Sequence, residues 1–277
     1  MDRWRLLRTS PANGAWNMAV DEALLESVAA GRCPPLLRLY RWQPAAVSLG
    51  YAQRGTDQVN LTACRRQGVE VVRRITGGRA VLHQHELTYA VVAPEQGGVF
   101  SGGVLENYRV IAAPLLALFA RLGIDGRLVS GRSRFHGAQA DGASSVCFSV
   151  PSSYEILCAG RKLTGGAQKR QGGAFLQHGS IPLDLDLERL WDLLNPEDAK
   201  PRSVALRHLE QSVGWINRWH HPPLNIDSLE TLFVESFAAV LGLTLEDSDL
   251  SPVELARAQE LVATRYGCES WNLRGLT

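Results

Sequence analysis

Lysine is nearly absent from this chain. Lys162, Lys169 and Lys200 stand alone among 29 basic residues, and the rest are arginine. A lysine kept in such a sequence suggests a position that needs a compact, rotatable point charge rather than a planar guanidinium fork. Long apolar runs are also missing. No stretch reaches about eighteen apolar residues, so no membrane-spanning helix is expected. The five cysteines, at 33, 64, 147, 158 and 268, are odd in number, scattered and without a Cys-x-x-Cys. That argues against a disulfide framework and against a zinc site. The pairs His83/His85 and His220/His221 lack the i, i+4 spacing of helical metal ligands, and no metal is expected. A net charge of +1 gives no electrostatic case for nucleic acid. The opening Met-Asp-Arg-Trp-Arg-Leu-Leu-Arg has no secretory apolar core, and reduced thiols in the cytoplasm are the natural reading. Neither a Walker A pattern nor a G-x-G-x-x-G opening a helix occurs, so no phosphate-cradling nucleotide loop is signalled.

What is present is a chain of 277 residues with 45% hydrophobic content. That suffices for one large core or two modest ones. A helix is expected where Trp16, Val20, Ala23, Leu24 and Ser27 share a face, with Ser10 or Asn13 as cap and Gly31 as stop. Short β-type runs follow at Leu36–Tyr40, Ala46–Leu49, Val69–Arg73, Arg79–His83 and Leu87–Val92, with Gly77-Gly78 turning between two of them. A second helix spans Leu105 to Leu122, ended by Gly123, and Pro114 within it predicts a kink. Residues 126–146 read as a long loop with Cys147 just after its end. Tyr154–Cys158 and Lys162–Gly165 read as a hairpin across Ala159-Gly160, and Ala174–Leu183 as a further strand. Helices are expected at Leu187–Leu194, Ile226–Leu241 and Pro252–Tyr266, the last with Ser251 and Glu254 as a capping box. Residues 195–224 read as an irregular connector. The layout is α+β, helices on mostly antiparallel sheet, as a single domain over 1–277. Its core is expected at about 30–245, with a C-terminal helix over 251–267 packed on it.

The candidate chemistry centres on Cys147 and Lys162, fifteen residues apart. A cationic neighbour favours a thiolate, and the thiolate is the nucleophile. The alternatives are a small buried cysteine and a solvated lysine. Arg73, Arg74 and Arg79 cluster near Gly77-Gly78. One of the three could hold a phosphate or carboxylate, while the turn itself could admit backbone close to a ligand or be an ordinary hairpin. Gly165, Gly166 and Ala167 could present N–H groups to an oxyanion, or form a bulge. His178 could move a proton or be a satisfied core residue.

Taken together, several segments resemble a known group. Arg73-Arg74-x-Thr76-Gly77-Gly78-Arg79-Ala-Val-Leu-His83, Glu86-Leu-Thr-Tyr89, Cys147-Phe, Gly160-Arg-Lys162-Leu-x-Gly-Gly-Ala-Gln168 and Leu176-Gln-His178-Gly-Ser180 occur in order. They look like the lipoate–protein ligase and octanoyltransferase group of the biotin/lipoate protein ligase superfamily. Arg79 replaces the third glycine of the ATP-dependent ligases, His83 is followed by Gln84 rather than aspartate, and Glu86-Leu-Thr-Tyr follows. This pattern resembles the octanoyl-[acyl carrier protein]:protein N-octanoyltransferase branch, although that branch usually has aspartate where Gln84 sits. The resemblance implies Cys147 and Lys162 as catalytic residues. It implies substrate contacts from Arg73, Gly77, Gly78, Arg79, His83, Gly165, Gly166, Ala167 and His178.

The implied reaction moves an octanoyl group from octanoyl-acyl carrier protein, through a thioester on Cys147, to a lysine of a lipoyl domain or of the glycine-cleavage H protein. No cofactor is implied, and the chain is expected to act as a monomer. Rival readings are an ATP-dependent lipoate–protein ligase, an octanoyl amidotransferase between lipoyl-bearing proteins, and a non-catalytic acyl-binding relative.

Overall fold

The computed structural model describes residues 2–129, 155–194 and 201–274. Cys147 and most of the expected 126–146 loop lie outside the described residues. The strands are β1 (Arg3–Arg8), β2 (Leu36–Tyr40), β3 (Ala46–Leu49), β4 (Glu70–Arg73), β5 (Val81–His83), β6 (Glu86–Pro94), β7 (Gly126–Leu128), β8 (Ile156–Cys158), β9 (Arg161–Gln171), β10 (Ala174–Pro182) and β11 (Thr244–Asp247). The helices are α1 (Gly14–Ala29), α2 (Leu61–Arg66), α3 (Val104–Arg121), α4 (Leu187–Leu194), α5 (Arg202–Ser212), α6 (Ile226–Leu241) and α7 (Pro252–Leu261).

Eight strands form one sheet in the order β11-β1-β2-β6-β10-β9-β8-β7, and β4-β3-β5 form a second. The sheets are mixed. β1 runs parallel to β11 and β2, and β4 parallel to β3, while the remaining neighbours are antiparallel. Side chains alternate along β2 and β6, so each strand supplies both faces. Leu37, Leu39, Tyr89 and Val91 join one apolar cluster with α3 and α6. Leu36, Tyr40, Ala90 and Val92 join another with α1 and α7. A third cluster packs the small sheet against α2, α4 and α5.

Four local readings change. β4 and β5 do not form a hairpin with each other, because both pair with β3 between them. The Gly77-Gly78 turn instead crosses the end of β3. Tyr51 N donates to Thr76 O at 2.9 Å, and a Cβ on Gly50 would lie 1.9 Å from Gly78 O. Residues 126–128, expected in a loop, form β7 against β8. The connector contains α5, whose buried Ala205 and Leu209 make a stripe only one residue wide. The C-terminal helix ends as α-helix at Leu261 and continues as a π-turn over Val262–Tyr266, closed by Gly267 N on Val262 O.

α1 is not simply amphipathic. It is buried on nearly every side, with Asn17, Asp21 and Glu22 among its buried residues. Each polar group then needs a partner. Asp21 and Asn17 receive the guanidinium of Arg38 from β2, and Glu22 receives the Tyr266 hydroxyl at 2.6 Å and the Arg265 guanidinium. α3 runs unbroken through Pro114. Among the described residues no helix is long and apolar enough to cross a membrane.

Candidate active site

A cavity of about 160 Å³ lies between the two sheets. That is close to the ~150 Å³ of an apolar cavity able to take up benzene. Met18, Tyr40, Trp42, Val81, Leu163 and Pro182 give it apolar wall. Lys162, Gly165, Gly166, Ala167 and His178 line it from β9 and β10, and Gly78, Arg79 and His83 from the small sheet and its turn. The structure therefore brings eight of the expected residues to one enclosure. Arg73 and Gly77 are not on its wall.

The ladder explains the placement. In β10 and β6 alternate residues face α1, which puts His178, Ser180, Glu86 and Thr88 on one side, with Ser180 opposite Thr88, His178 opposite Ala90 and Glu86 opposite Pro182. In β9, strict alternation would put Lys162 and Gly165 on opposite faces. The β8–β9 register shifts between Ile156 and Leu157, which pair with Thr164 and Lys162. Leu163 is thus an extra residue on β9, a bulge that re-aims the side chain before it. Lys162 bends beneath Gly165, where a Cβ would lie 2.8 Å from its Cε. Its Nζ donates to Glu155 Oε1 at 2.6 Å. Ala159 and Gly160, both at positive φ, make the tight turn that sets Glu155 and Lys162 side by side.

Two histidines stand in matching surroundings. His178 Nδ1 lies 2.8 Å from Asp21 Oδ2 and its Nε2 2.7 Å from Thr76 Oγ1. His83 Nδ1 lies 2.7 Å from Glu86 Oε1 and its Nε2 2.7 Å from Ser48 Oγ. A carboxylate can only accept, so Nδ1 carries the proton in each. Burial pushes His178 below its ordinary value, more than the Asp21 charge raises it, so its ring is neutral and Nε2 accepts from Thr76. Burial alone would raise the Asp21 carboxyl, but Arg38 first, with His178, brings it below the ordinary range. Tyr40 also donates to Asp21 at 2.9 Å. Glu86 accepts from the Thr88 and Ser180 hydroxyls as well. The Trp42 ring stacks on His83 with centroids 4.0 Å apart.

The three arginines separate. Arg73 donates to main-chain oxygens of Gly50, Tyr51, Trp271 and Asn272 at 2.8–3.3 Å, tying the C-terminal turn to β3. Arg74 donates from Nη1 to Ser48 O and Oγ, and from Nη2 to Gly77 O and Arg79 O, with Nε also on Gly77 O. All five N–H groups of its fork are thereby used within the protein. Arg79 is exposed, and among the described residues no hydrogen-bond partner meets its side chain.

Sequence reasoning missed Asp21, Arg38, Ser48 and Glu155. An arginine in Leu36-Leu-Arg-Leu-Tyr40 and an aspartate among the apolar residues of α1 are buried charges of opposite sign, which is the signal that pairs them. Glu155 carried no such signal.

The lipoyl protein ligase A/B catalytic domain model matches residues 13–238. The chain is similar along its length to proteins named octanoyltransferase LipM. It is 40% identical over 275 residues to that of Brevibacillus brevis, covering 99% of this chain and 100% of the relative. It is 38% identical over 274 residues to that of Bacillus subtilis, covering 99% of each. Its backbone resembles a bi-partite lipoate protein ligase from Thermoplasma acidophilum, with TM-score 0.82 at 23% identity over 100% of this chain and 98% of that one. It also resembles a lipoate-protein ligase A bound with ATP, with TM-score 0.80 at 24% identity over 99% of this chain and 100% of that one. The likeness to these two structures is one of fold, and it is the α+β fold expected from the motifs.

Proposed function

The chain belongs to the lipoyl protein ligase A/B catalytic domain family, and from that footing we propose that it is an octanoyltransferase of lipoate biosynthesis. Its donor is octanoyl-acyl carrier protein, and its acceptor a lysine of a lipoyl domain or of the glycine-cleavage H protein. The observation that carries the reading is the cavity itself. It joins apolar wall to Lys162, while Arg74, which lines it beside the glycine turn together with Arg79, has its donors committed to the protein. Full-length likeness to proteins named octanoyltransferase supports the same choice over a ligase.

In this mechanism the Cys147 thiolate attacks the donor thioester carbonyl. The carrier's thiolate leaves, and one thioester replaces another without ATP. Lys162 supplies the positive charge that favours the thiolate. The acceptor amine, deprotonated, then attacks the acyl-enzyme. Cys147 thiolate leaves and takes up a proton, and an amide replaces the thioester. The octanoyl chain lies along Met18, Tyr40, Trp42 and Val81. At ~0.8 kcal/mol per buried CH₂, the slot supplies at most roughly 5 kcal/mol of recognition. One methylene changes that by only ~1–3 kcal/mol, so chain-length selection is imperfect. We read the whole chain as one domain, since α7 and Tyr266 share a cluster with α1. We place it in the cytoplasm, in keeping with the free thiols of Cys33, Cys64, Cys158 and Cys268.

The test is intact-mass measurement after mixing with octanoyl-acyl carrier protein and no ATP. An octanoyl adduct should form on Cys147, vanish with hydroxylamine, and be absent from Cys147→Ala. An adduct on Cys158 or Cys33 overturns the assignment. Robust transfer of free octanoate with ATP points to a ligase, and octanoylated H protein as the better donor points to an amidotransferase.

A further inference from the structure

We infer that Glu155 is a positioning residue for Lys162. It holds the ammonium at one point on the cavity wall and acts on the reaction only through it. The inference rests on the transferase reading, in which Lys162 serves the reacting groups.

Both side chains line the cavity, the Nζ–Oε1 distance is 2.6 Å, and they are 16% and 6% exposed. An exposed lysine–glutamate pair fixes little, because water screens it and the long stem keeps its freedom. This pair is different in three respects. The carboxylate is buried, so its hydrogen bond to the ammonium replaces water rather than competing with it. The bulge at Leu163 turns Lys162 toward the cavity in the first place. The missing Cβ of Gly165 leaves room for the stem, since a methyl there would stand 2.8 Å from Cε and 3.0 Å from Nζ. Gly165 thus serves the lysine by what it lacks. Bulge, glycine and carboxylate direct the start, middle and tip of one flexible side chain. Removing one of them leaves the charge in place but off its mark, and a displacement of about 1 Å in such a group can cost ~100-fold in rate.

The decisive measurement is a double-mutant cycle on octanoyl transfer with Glu155→Gln, Lys162→Ala and both together. Glu155→Gln keeps the volume and should lower kcat roughly 10–100-fold, with KM for the donor within about twofold. On the Lys162→Ala background it should add nothing, because residues acting as a unit are not additive. A Glu155→Gln enzyme with wild-type kcat overturns the inference, as does an effect that multiplies fully onto Lys162→Ala. Gly165→Ala displaces the ammonium without removing a charge, and should show the same loss and the same silence over Lys162→Ala. If Glu155→Gln fails to fold, retained kcat in Gly165→Ala overturns the inference by itself. Three lysines make a readout independent of turnover practical. In ¹⁵N-lysine-labelled protein the Lys162 ammonium signal should be protected from exchange in wild type and lost in Glu155→Gln. A wild-type protein that transfers nothing sinks the transferase reading, while this spectrum still judges the pairing.

Discussion

Lys162 reaches Glu155 on a stem that bends beneath Gly165. A guanidinium on a similar stem is broader, planar and spreads its charge over a fork. It needs more room than the gap at Gly165 leaves, where even an added methyl would stand 2.8 Å from the lysine Cε. Lys162→Arg is therefore expected to form the acyl-enzyme nearly as slowly as Lys162→Ala, on the order of 100-fold below wild type. The rate of adduct formation by mass measures this, and retention of most of the wild-type rate in Lys162→Arg would refute a specific lysine role. Arg73 and Arg74 illustrate the complementary case. Their forks suit convergent carbonyls, and each closes a turn of backbone around itself. A lysine there would leave several of those oxygens without donors.

At the scale of elements, β1 and α7 show how distant pieces of chain hold one another. β1 inserts between β11 and β2, and its Arg5 donates two bonds to Glu254 at 2.7 and 3.0 Å. Glu254 also closes the capping box with Ser251 at the start of α7. Burial opposes its charge, but Arg5 above all and the Ser251 backbone draw the carboxyl from 4.5 down to about 2. The folded state therefore holds this proton less tightly than the unfolded chain. The contribution is complete above 4.5 and disappears as pH falls toward about 2. Glu254→Gln should cost roughly 2–3 kcal/mol in urea unfolding near neutral pH, with the gap closing in acid. A gap that does not change with pH would show that the charge is not what stabilises the contact.

Across the whole molecule, the sheet places one titrating group at its centre. His178 joins α1, β2 and β10 through Asp21, and Arg38 and Tyr40 complete the cluster. Its folded value lies below the ordinary 6.5, with burial as the main cause. Below 6.5 the unfolded chain takes up a proton that the native protein refuses, so stability should decline as pH falls through that value. Asp21 adds a second loss below 3.8. Urea midpoints measured downward from neutral pH should fall, and fall less steeply in His178→Gln. Equal slopes in the two proteins would show that this histidine does not carry the dependence.

Local chemistry was readable from the chain by itself. The bounds of β2, β3, α4 and α6, the Asn13 and Ser251 caps and the turn at Ala159-Gly160 all follow from short-range preferences, and the ordered motifs are enough to place the family. β1 and β11 were missed because each is a short, charged strand fixed by distant pairing: β11 pairs with β1, 241 residues away in the register Arg3 to Thr244, and β1 lies between β11 and β2. α5 was missed because two buried residues make too thin a stripe to read. Tertiary structure alone decided which arginine is a strut, which glycine makes room for a lysine, and which carboxylate meets it. Those outcomes depend on a one-residue register shift in β9 and on the crossing of a turn over β3. Neither leaves a mark in composition or periodicity, because both arise where separate segments meet.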